Sequence, residues 1–312
     1  MSRSVRVLVL AVVALVAAGS LAGCRSQLAA QRLTIATGSS DGVYYVRGSQ
    51  LADVWAGQLG IAKPAVRTTA GSLADIELLQ SGAADVGFAD ADVLAQQRPK
   101  GRYALAALAR IYDDYIQVVV RADEPIQDLA ELAGHRVSIG PPGSQTKVVA
   151  DRILGAAKVH GMTAVPLSLN DSITALRTGR IDAFFWSGGL PTTGFKNIKV
   201  PFRLLDLGTD PSGVLHTMLS TYKVYGTGLV PAGFYGQAGP SVTTLIVPNF
   251  LLASRKMSDD VAEALVRSLF TATGPLADEL SAALGINVHT AIFTEPVPLH
   301  PGAEAYYRSA KI

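Results

Sequence analysis

Two stretches of the chain repeat one order of predicted elements, and this repeat limits the possible folds more than any other feature. Residues 79–85 and 176–182 share the pattern L-x-x-G-x-x-D. In each copy the glycine is suited to end a helix with a positive φ, and the aspartate stands at the start of the next strand. Each copy lies within a series of strand, glycine loop, helix, strand, helix and strand. The repeat therefore predicts an α/β protein with two similar lobes.

Each lobe is expected to contain a mixed sheet flanked by helices. The β-branched runs at residues 117–120 and 242–247 suit extended segments that lead the chain from one lobe to the other and back. We therefore expect lobe 1 at residues 33–118 and 243–312, lobe 2 at residues 119–242, and two hinge crossings. Residues 222–240, dense in glycine and tyrosine, are predicted to form a long loop, either at a cleft mouth or elsewhere on the surface.

The N-terminus is typical of an export signal. Arg3 and Arg6 precede an apolar run at residues 7–18, which is too short to span a bilayer as a mature helix. Residues 21–24, Leu-Ala-Gly-Cys, resemble the lipobox of bacterial lipoproteins. This resemblance implies removal of a signal peptide at residues 1–23, a lipid on Cys24, a linker at residues 24–32 and an extracytoplasmic, membrane-anchored location. The alternative is an ordinary cleavage site with an unmodified cysteine.

Charge and composition exclude several classes of protein. The chain has 27 basic and 25 acidic residues, and residues 1–23 contain two of the arginines and no acid. The mature charge is therefore balanced, which argues against nucleic acid as a partner and against a polybasic membrane patch. Cys24 is the only cysteine, and the five histidines show no H-E-x-x-H spacing. We therefore expect no disulfide within the chain, no metal and no cofactor.

Three glycine loops are candidate binding sites. They contain Gly38, Gly71 and Gly143, and each is expected to end a strand and open a helix. Such a loop exposes unpaired N–H groups and the positive end of the helix dipole, at the strand ends where ligands bind in α/β sheets. The candidate ligand-binding residues in these loops are Ser39, Ser40, Gly71, Ser72, Ser144, Gln145 and Thr146. The serines and the threonine have a second possible role as helix N-caps.

Ser40 also lies in a G-x-S-x-G pattern, which is typical of the nucleophile of α/β-hydrolases. That nucleophile normally follows a strand in the middle of the sheet, whereas Ser40 follows the first mature strand. We therefore expect no catalytic residue and no enzyme. A serine hydrolase that recruits His216, His289 or His300 remains the alternative.

An ordered set of motifs between Leu33 and Arg308 resembles the TAXI family, the extracytoplasmic solute-binding proteins of tripartite ATP-independent periplasmic (TRAP) transporters. The motifs are Thr37-Gly38-Ser39 with Gly42 and Tyr44-Tyr45, Thr69-Ala70-Gly71-Ser72, residues 85–92, Gly143-Ser144 with Thr146, Asp182-Ala183-Phe184-Phe185, and residues 299–303 with Tyr306-Tyr307-Arg308.

The resemblance implies a type II periplasmic-binding-protein fold whose lobes close on glutamate, glutamine or a related carboxylate. It also implies delivery of this ligand to an ion-driven TRAP permease in the membrane, with no chemistry by the protein itself. The positions that it places near the ligand are Ser39, Tyr44, Ser72, Asp92, Ser144 and Thr146. Packing is an alternative role for Tyr44, and helix capping is an alternative for Asp92. A sensor that docks on a membrane receptor uses the same closure and stays open as a further alternative.

The chain departs from the family pattern at positions that bear on the ligand. Asp75 stands where the family usually has asparagine, Gln145 where it has glycine, and Asp90 where it has glutamine. Negative charge near the ligand at Asp75 or Asp90 would disfavour a dianionic ligand or require a cation.

Overall fold

A computed structural model describes residues 31–38, 40, 42–97, 104–275 and 287–311. The chain divides into two compact units. Unit 1 comprises Met1–Ala89, Pro99–Arg110 and Phe250–Ile312, and unit 2 comprises Asp90–Arg98 and Ile111–Asn249. The lipobox and Ser39 lie outside the described residues.

The described elements alternate between strands and helices along the chain. The strands are β1 Thr34–Thr37, β2 Ala65–Thr68, β3 Val86–Asp90, β4 Leu105–Arg121, β5 Arg136–Ser138, β6 Thr163–Val165, β7 Ala183–Gly188, β8 Phe202–Leu204, β9 Gly226–Val230 and β10 Val242–Ser254. The helices are α1 Val43–Leu59, α2 Ser72–Ser81, α3 Ala91–Gln96, α4 Gln145–Ala156, α5 Leu169–Arg177, α6 Val214–Thr221, α7 Asp259–Thr271 and α8 Pro301–Ser309. Short 3-10 helices occupy Ala130–Leu132 and Thr193–Asn197.

In unit 1, β1 pairs in parallel with both β2 and β3. Helix α1 packs tightly on β1, because a Cβ added to Gly48 would lie 2.4 Å from Cγ2 of Thr37. The two C-terminal helices approach each other just as closely, since a Cβ at Gly302 in α8 would lie 2.1 Å from the carbonyl oxygen of Asp259 in α7. Small residues at these two contacts therefore set the distance between neighbouring elements.

In unit 2, β5 pairs in parallel with β6 and β7, while β7 and β8 pair antiparallel with β4. Successive side chains of β7 pack into different hydrophobic clusters, because side chains alternate between the two faces of a sheet along a strand. Phe185 packs in a cluster with Val149 and Ile153 of α4, whereas Phe184 packs in a second cluster with Ile173 of α5. The sheet of unit 2 is therefore mixed and covered by α4 and α5 on opposite faces.

The two L-x-x-G-x-x-D copies perform the same structural task. The N–H of Thr34, the first residue of β1, donates to Oδ2 of Asp85 at 2.8 Å, and the N–H of Arg136, the first residue of β5, donates to Oδ2 of Asp182 at 2.8 Å. Each aspartate also donates its own N–H to the carbonyl of the same partner, at 2.9 Å in both copies. The glycines of the two copies have positive φ values, 78° and 68°. The internal repeat is therefore visible at the level of individual hydrogen bonds.

The predicted α/β class and the two-lobe fold are confirmed. The predicted crossings at 118/119 and 242/243 lie within β4 and β10, and the chain passes between units within these strands at 110/111 and 249/250. The unit bounds add two passages that were not predicted, at 89/90 and 98/99. The prediction of a continuous loop at residues 222–240 is wrong, because this segment contains β9, which pairs antiparallel with β10. None of the helices in the described part of the chain is long and apolar enough to cross a bilayer.

Candidate functional site

In unit 1 the structure brings together the first two glycine loops. The N–H of Thr69 donates to the carbonyl of Gly38 at 3.0 Å. A Cβ on Gly38 would lie 3.8 Å from Cα of Gly71 and 3.7 Å from Cδ2 of Tyr44. The loops that follow β1 and β2 therefore lie side by side at the carboxyl ends of two parallel strands, where α/β proteins bind ligands.

Among the described residues, the helices that leave these loops begin without a side-chain cap. The N-cap residues of α1 and α2 are Gly42 and Gly71, and neither supplies a capping hydrogen bond. In contrast, Asp90, Ser144 and Ser168 cap α3, α4 and α5 with their side chains. Neither N-cap residue therefore offers a side chain to the first amides of α1 or α2, the kind of helix end that binds anions in other proteins.

Tyr44 and Ser72, two of the residues predicted to contact the ligand, meet beside these helix ends. The Tyr44 hydroxyl lies 3.3 Å from Oγ of Ser72. The Tyr44 ring stacks on Phe88 with a centroid distance of 5.0 Å and an interplanar angle of 15°. Tyr44 thus packs against the core through its ring while its hydroxyl reaches the start of α2.

Asp75 lies in the first turn of α2 and is fully buried. The Thr69 hydroxyl donates to Oδ1 of Asp75 at 2.6 Å and accepts the N–H of Gly71 at 3.0 Å. Burial raises the pKa of Asp75 to about 7, although the hydrogen bond from Thr69 opposes this shift. Near neutral pH this carboxyl is therefore protonated in a large fraction of molecules. Asp75 thus adds less than a full negative charge to unit 1.

In unit 2 the third glycine loop opens α4. Oγ of Ser144 accepts the N–H of Lys147 at 3.2 Å and donates to the carbonyl of Pro141 at 2.7 Å. Of its two predicted roles, Ser144 therefore performs helix capping in this structure. Gly140 has a φ of +83° and lies so close to α4 that a Cβ would be 2.8 Å from Cβ of Thr146.

Thr146 connects α4 to the end of β7. Its Oγ1 accepts the N–H of Ser187 at 3.1 Å. Two residues of these elements, Gln145 at the start of α4 and Ser187 in β7, each carry a buried polar atom, Nε2 and Oγ, with no hydrogen-bond partner among the described residues. Sequence reasoning selected Gln145 and Thr146 but missed Ser187, whose only signal was its position at the end of a strand, before Gly188 and Gly189.

Asp92, predicted to contact the ligand or to cap a helix, forms an ion pair with Arg152. The capping role in α3 belongs instead to Asp90, whose Oδ1 accepts the N–H of Val93 at 2.8 Å. Arg152 also donates to the hydroxyl of Tyr225 at 2.5 Å. Oδ2 of Asp92 is buried and has no partner among the described residues. Sequence reasoning missed Arg152 because this residue lies 60 positions from Asp92.

Ser40 is exposed and precedes α1. None of the histidine hydrogen bonds in the described part of the chain involves Ser40. His300 is fully buried, its Nδ1 accepts the N–H of Gly302 at 3.2 Å, and burial lowers its pKa. His216 lies on α6, where its Nε2 is 3.5 Å from Oγ of Ser220. Across the described ranges, no group of three or more histidine, cysteine, aspartate or glutamate residues could hold a metal ion.

The fold is that of the two-lobe periplasmic binding proteins. XAC2383 from Xanthomonas citri bound to ATP matches 89% of this chain and 95% of its own, with 15% identity and a TM-score of 0.50. The same protein bound to chloride ion matches 88% and 95%, with 15% identity and a TM-score of 0.48. The periplasmic aliphatic sulphonate binding protein SsuA from Escherichia coli matches 90% and 94%, with 16% identity and a TM-score of 0.46.

A family model assigns the chain more specifically. The model of the NMT1-like family matches residues 35–310, which is most of the sequence. The chain therefore belongs to the NMT1-like family. The expectation that it is not an enzyme agrees with membership in this family.

Proposed function

We propose that this chain is an extracytoplasmic solute-binding protein of the TAXI type. It captures a small carboxylate or amino acid, similar to glutamate or glutamine, between two lobes and delivers it to a TRAP permease driven by an ion gradient. It does no chemistry on the ligand. Membership in the NMT1-like family and the fold of periplasmic binding proteins support this proposal.

The observation that carries the proposal is the pair of helix starts in unit 1, α1 and α2, whose N-cap residues are glycines and which lie side by side after two parallel strands. Backbone amides at such ends bind anions without a charged side chain. The proposed ligand contacts are Ser39, Ser40, Tyr44, Gly71, Ser72, Ser144, Gln145 and Thr146. Oδ2 of Asp92, which has no partner among the described residues, is proposed as an acceptor for a ligand amine.

The charges around these residues favour a ligand group with a single negative charge. Asp90 is engaged as the cap of α3, and the Thr69 hydroxyl is bonded to Asp75. Because the pKa of Asp75 is about 7, this carboxyl neither balances a cation nor repels one carboxylate strongly at neutral pH. A dianion would need a cationic partner, which α1 and α2 do not supply at their first turns.

A thermal-shift screen with L-glutamate, L-glutamine, pyruvate and succinate tests capture. A ligand present at 100 times its Kd stabilises the folded protein by about 2.7 kcal/mol, so the melting temperature should rise by roughly 5–10 °C. Gly71→Ala should weaken this response, because φ at Gly71 is +122° and the loop must change shape. Gly60→Ala is the matched control, since Gly60 also has a positive φ, 65°, but ends α1 at its far end. No shift of the wild type with any of the four compounds would contradict the proposal.

Delivery is tested in membranes. Wild-type protein should fractionate with the membrane, and Cys24→Ala should release it into the soluble fraction because the lipid is attached to this sulfur. In vesicles that contain a TRAP permease, uptake should require both the binding protein and an ion gradient. Uptake that depends on ATP instead would contradict the assignment to TRAP transport.

A further inference from the structure

We infer that Ser187 is a further ligand-binding residue, and that the start of α4 holds the oxyanion group of the ligand through uncharged donors. These donors are Oγ of Ser187, Nε2 of Gln145 and the first amides of α4. This inference rests on the proposed function and specifies the chemistry of its site in unit 2. The group bound is an oxyanion with one charge, a carboxylate or a sulfonate.

The direction of the Ser187 side chain follows from its strand. Residues two apart on a strand point to the same face, so Ser187 shares the face of Phe185. Phe185 packs in the cluster that contains Val149 and Ile153 of α4. The bond from the N–H of Ser187 to Oγ1 of Thr146, 3.1 Å long, brings Ser187 to the first turn of the same helix. Its hydroxyl therefore lies on the α4 side of the sheet, beside the positive end of the helix dipole.

The hydrogen bonds of this turn leave donors unused. Ser187 is 8% exposed, and its Oγ has no partner among the described residues. The same holds for Nε2 of Gln145. Buried polar groups are nearly always hydrogen-bonded in native proteins, so two unpaired ones at one helix start indicate a partner from outside the chain. Ser138, at the end of β5, shows the ordinary situation, because its Oγ lies 2.8 Å from Oγ of Ser172.

The charge at this turn determines the class of group. The amides of Gln145 and Thr146 belong to the first turn of α4, where a helix has no internal acceptors. Lys147, the cation of this turn, is paired with Asp151 at 2.5 Å. An oxyanion at this turn would therefore be bound by dipoles and neutral donors, which suits one negative charge better than two.

The experiment compares Ser187→Ala with Ser138→Ala, two buried serines in one sheet. Each full-length variant is melted without ligand and then titrated calorimetrically with L-glutamate, L-glutamine and methanesulfonate. Ser187→Ala should keep or raise the melting temperature of the free protein, because it removes an unpaired buried hydroxyl, while its affinity for the bound probe falls about tenfold. Ser138→Ala should lower the melting temperature and leave the affinity unchanged. Gln145→Met, which keeps the length of the side chain and removes the donor, should repeat the behaviour of Ser187→Ala.

The possible outcomes separate this inference from the proposed function. If the wild type binds a probe and Ser187→Ala and Gln145→Met bind it equally well, the inference is overturned and solute binding stands. If Ser187→Ala destabilises the free protein as much as Ser138→Ala, the hydroxyl is satisfied internally and the inference also fails. If the wild type binds none of the probes, both the proposed function and this inference are contradicted. Response to methanesulfonate alone would assign the oxyanion as a sulfonate, and response to the amino acids alone would assign a carboxylate.

Discussion

Two buried aspartates predict that the protein loses stability as the pH rises from about 4 to about 8. Burial raises the pKa of Asp75 to about 7, and burial together with the charges of Asp90 and Asp113 raises the pKa of Asp114 to about 7, against the hydrogen bond from Asn249. The ordinary value for aspartate is 3.8. Between pH 3.8 and about pH 7 these two groups bind more protons in the folded protein than in the unfolded chain, so their contribution to stability is full below about pH 4 and decreases until about pH 7. At about 1.36 kcal/mol per pH unit, each group contributes at most about 4 kcal/mol to this change.

Asp75→Asn should remove the contribution of Asp75. The amide oxygen can still accept the hydroxyl of Thr69, as Oδ1 of the aspartate does at 2.6 Å. The new NH2 group takes the position of Oδ2, which has no partner among the described residues, and this costs about 1–3 kcal/mol. We therefore expect a net gain of about 1–3 kcal/mol at pH 8, where the wild type must bury a charge. At pH 5 the variant should lie within about 1 kcal/mol of the wild type, because the wild-type carboxyl is protonated there.

Urea unfolding followed by circular dichroism at pH 5.0, 6.5 and 8.0 measures this difference. Glu77→Gln is the control, because it removes an exposed carboxyl from the same helix and should follow the wild-type curve. Asp75→Asn combined with Asp114→Asn should flatten the pH dependence further than either change alone. A wild-type stability that rises from pH 5.0 to 8.0, or an Asp75→Asn variant with the full wild-type slope, would refute the reasoning.

Three further predictions concern stability. Gly302→Ala should destabilise the protein by about 1–3 kcal/mol or more, because the new Cβ overlaps the carbonyl of Asp259. Unchanged stability in urea unfolding would contradict this and show that α7 and α8 can move apart. Gly57→Ala, in the interior of α1 with no atom within 4 Å of the new Cβ, should stabilise by about 0.4–1 kcal/mol in the same assay, and a loss of stability would contradict this. Asp85→Ala and Asp182→Ala should each lower the free energy of unfolding by about 1–3 kcal/mol, because each leaves a strand-end N–H without its acceptor. A clear difference between the two values would show that the two copies have unequal roles.

Local features of the fold were predictable from the sequence. Helix starts, glycine C-caps and the paired aspartates depend on residues close together in the chain, and the L-x-x-G-x-x-D pattern identified both copies. Strand β9 was missed because GTGLV contains two glycines and few β-formers. Its extended conformation comes from pairing with β10, which is a contact that sequence periodicity does not report.

The sequence predicted which loops form the candidate site, but it predicted fewer of the contacts between their residues. The gathering of Gly38, Tyr44, Gly71 and Ser72 follows from parallel strands whose ends share one edge. The partner of Asp92 did not follow, because Arg152 comes from α4, and its bond to Tyr225 spans 73 positions. A single serine at a strand end carries no pattern of its own, so Ser187 becomes informative only when the hydrogen bonds around it are known.

The hydrogen bonds of Asp85 and Asp182 bear on how relatives of this chain can diverge. In each copy the carboxylate must reach back to the opening residue of an earlier strand, so the three-residue step from glycine to aspartate cannot lengthen or shorten without losing both bonds. Insertions and deletions should therefore be excluded from residues 79–85 and 176–182. Divergence between relatives should therefore reach these two segments by substitution alone, with the spacing of glycine and aspartate retained.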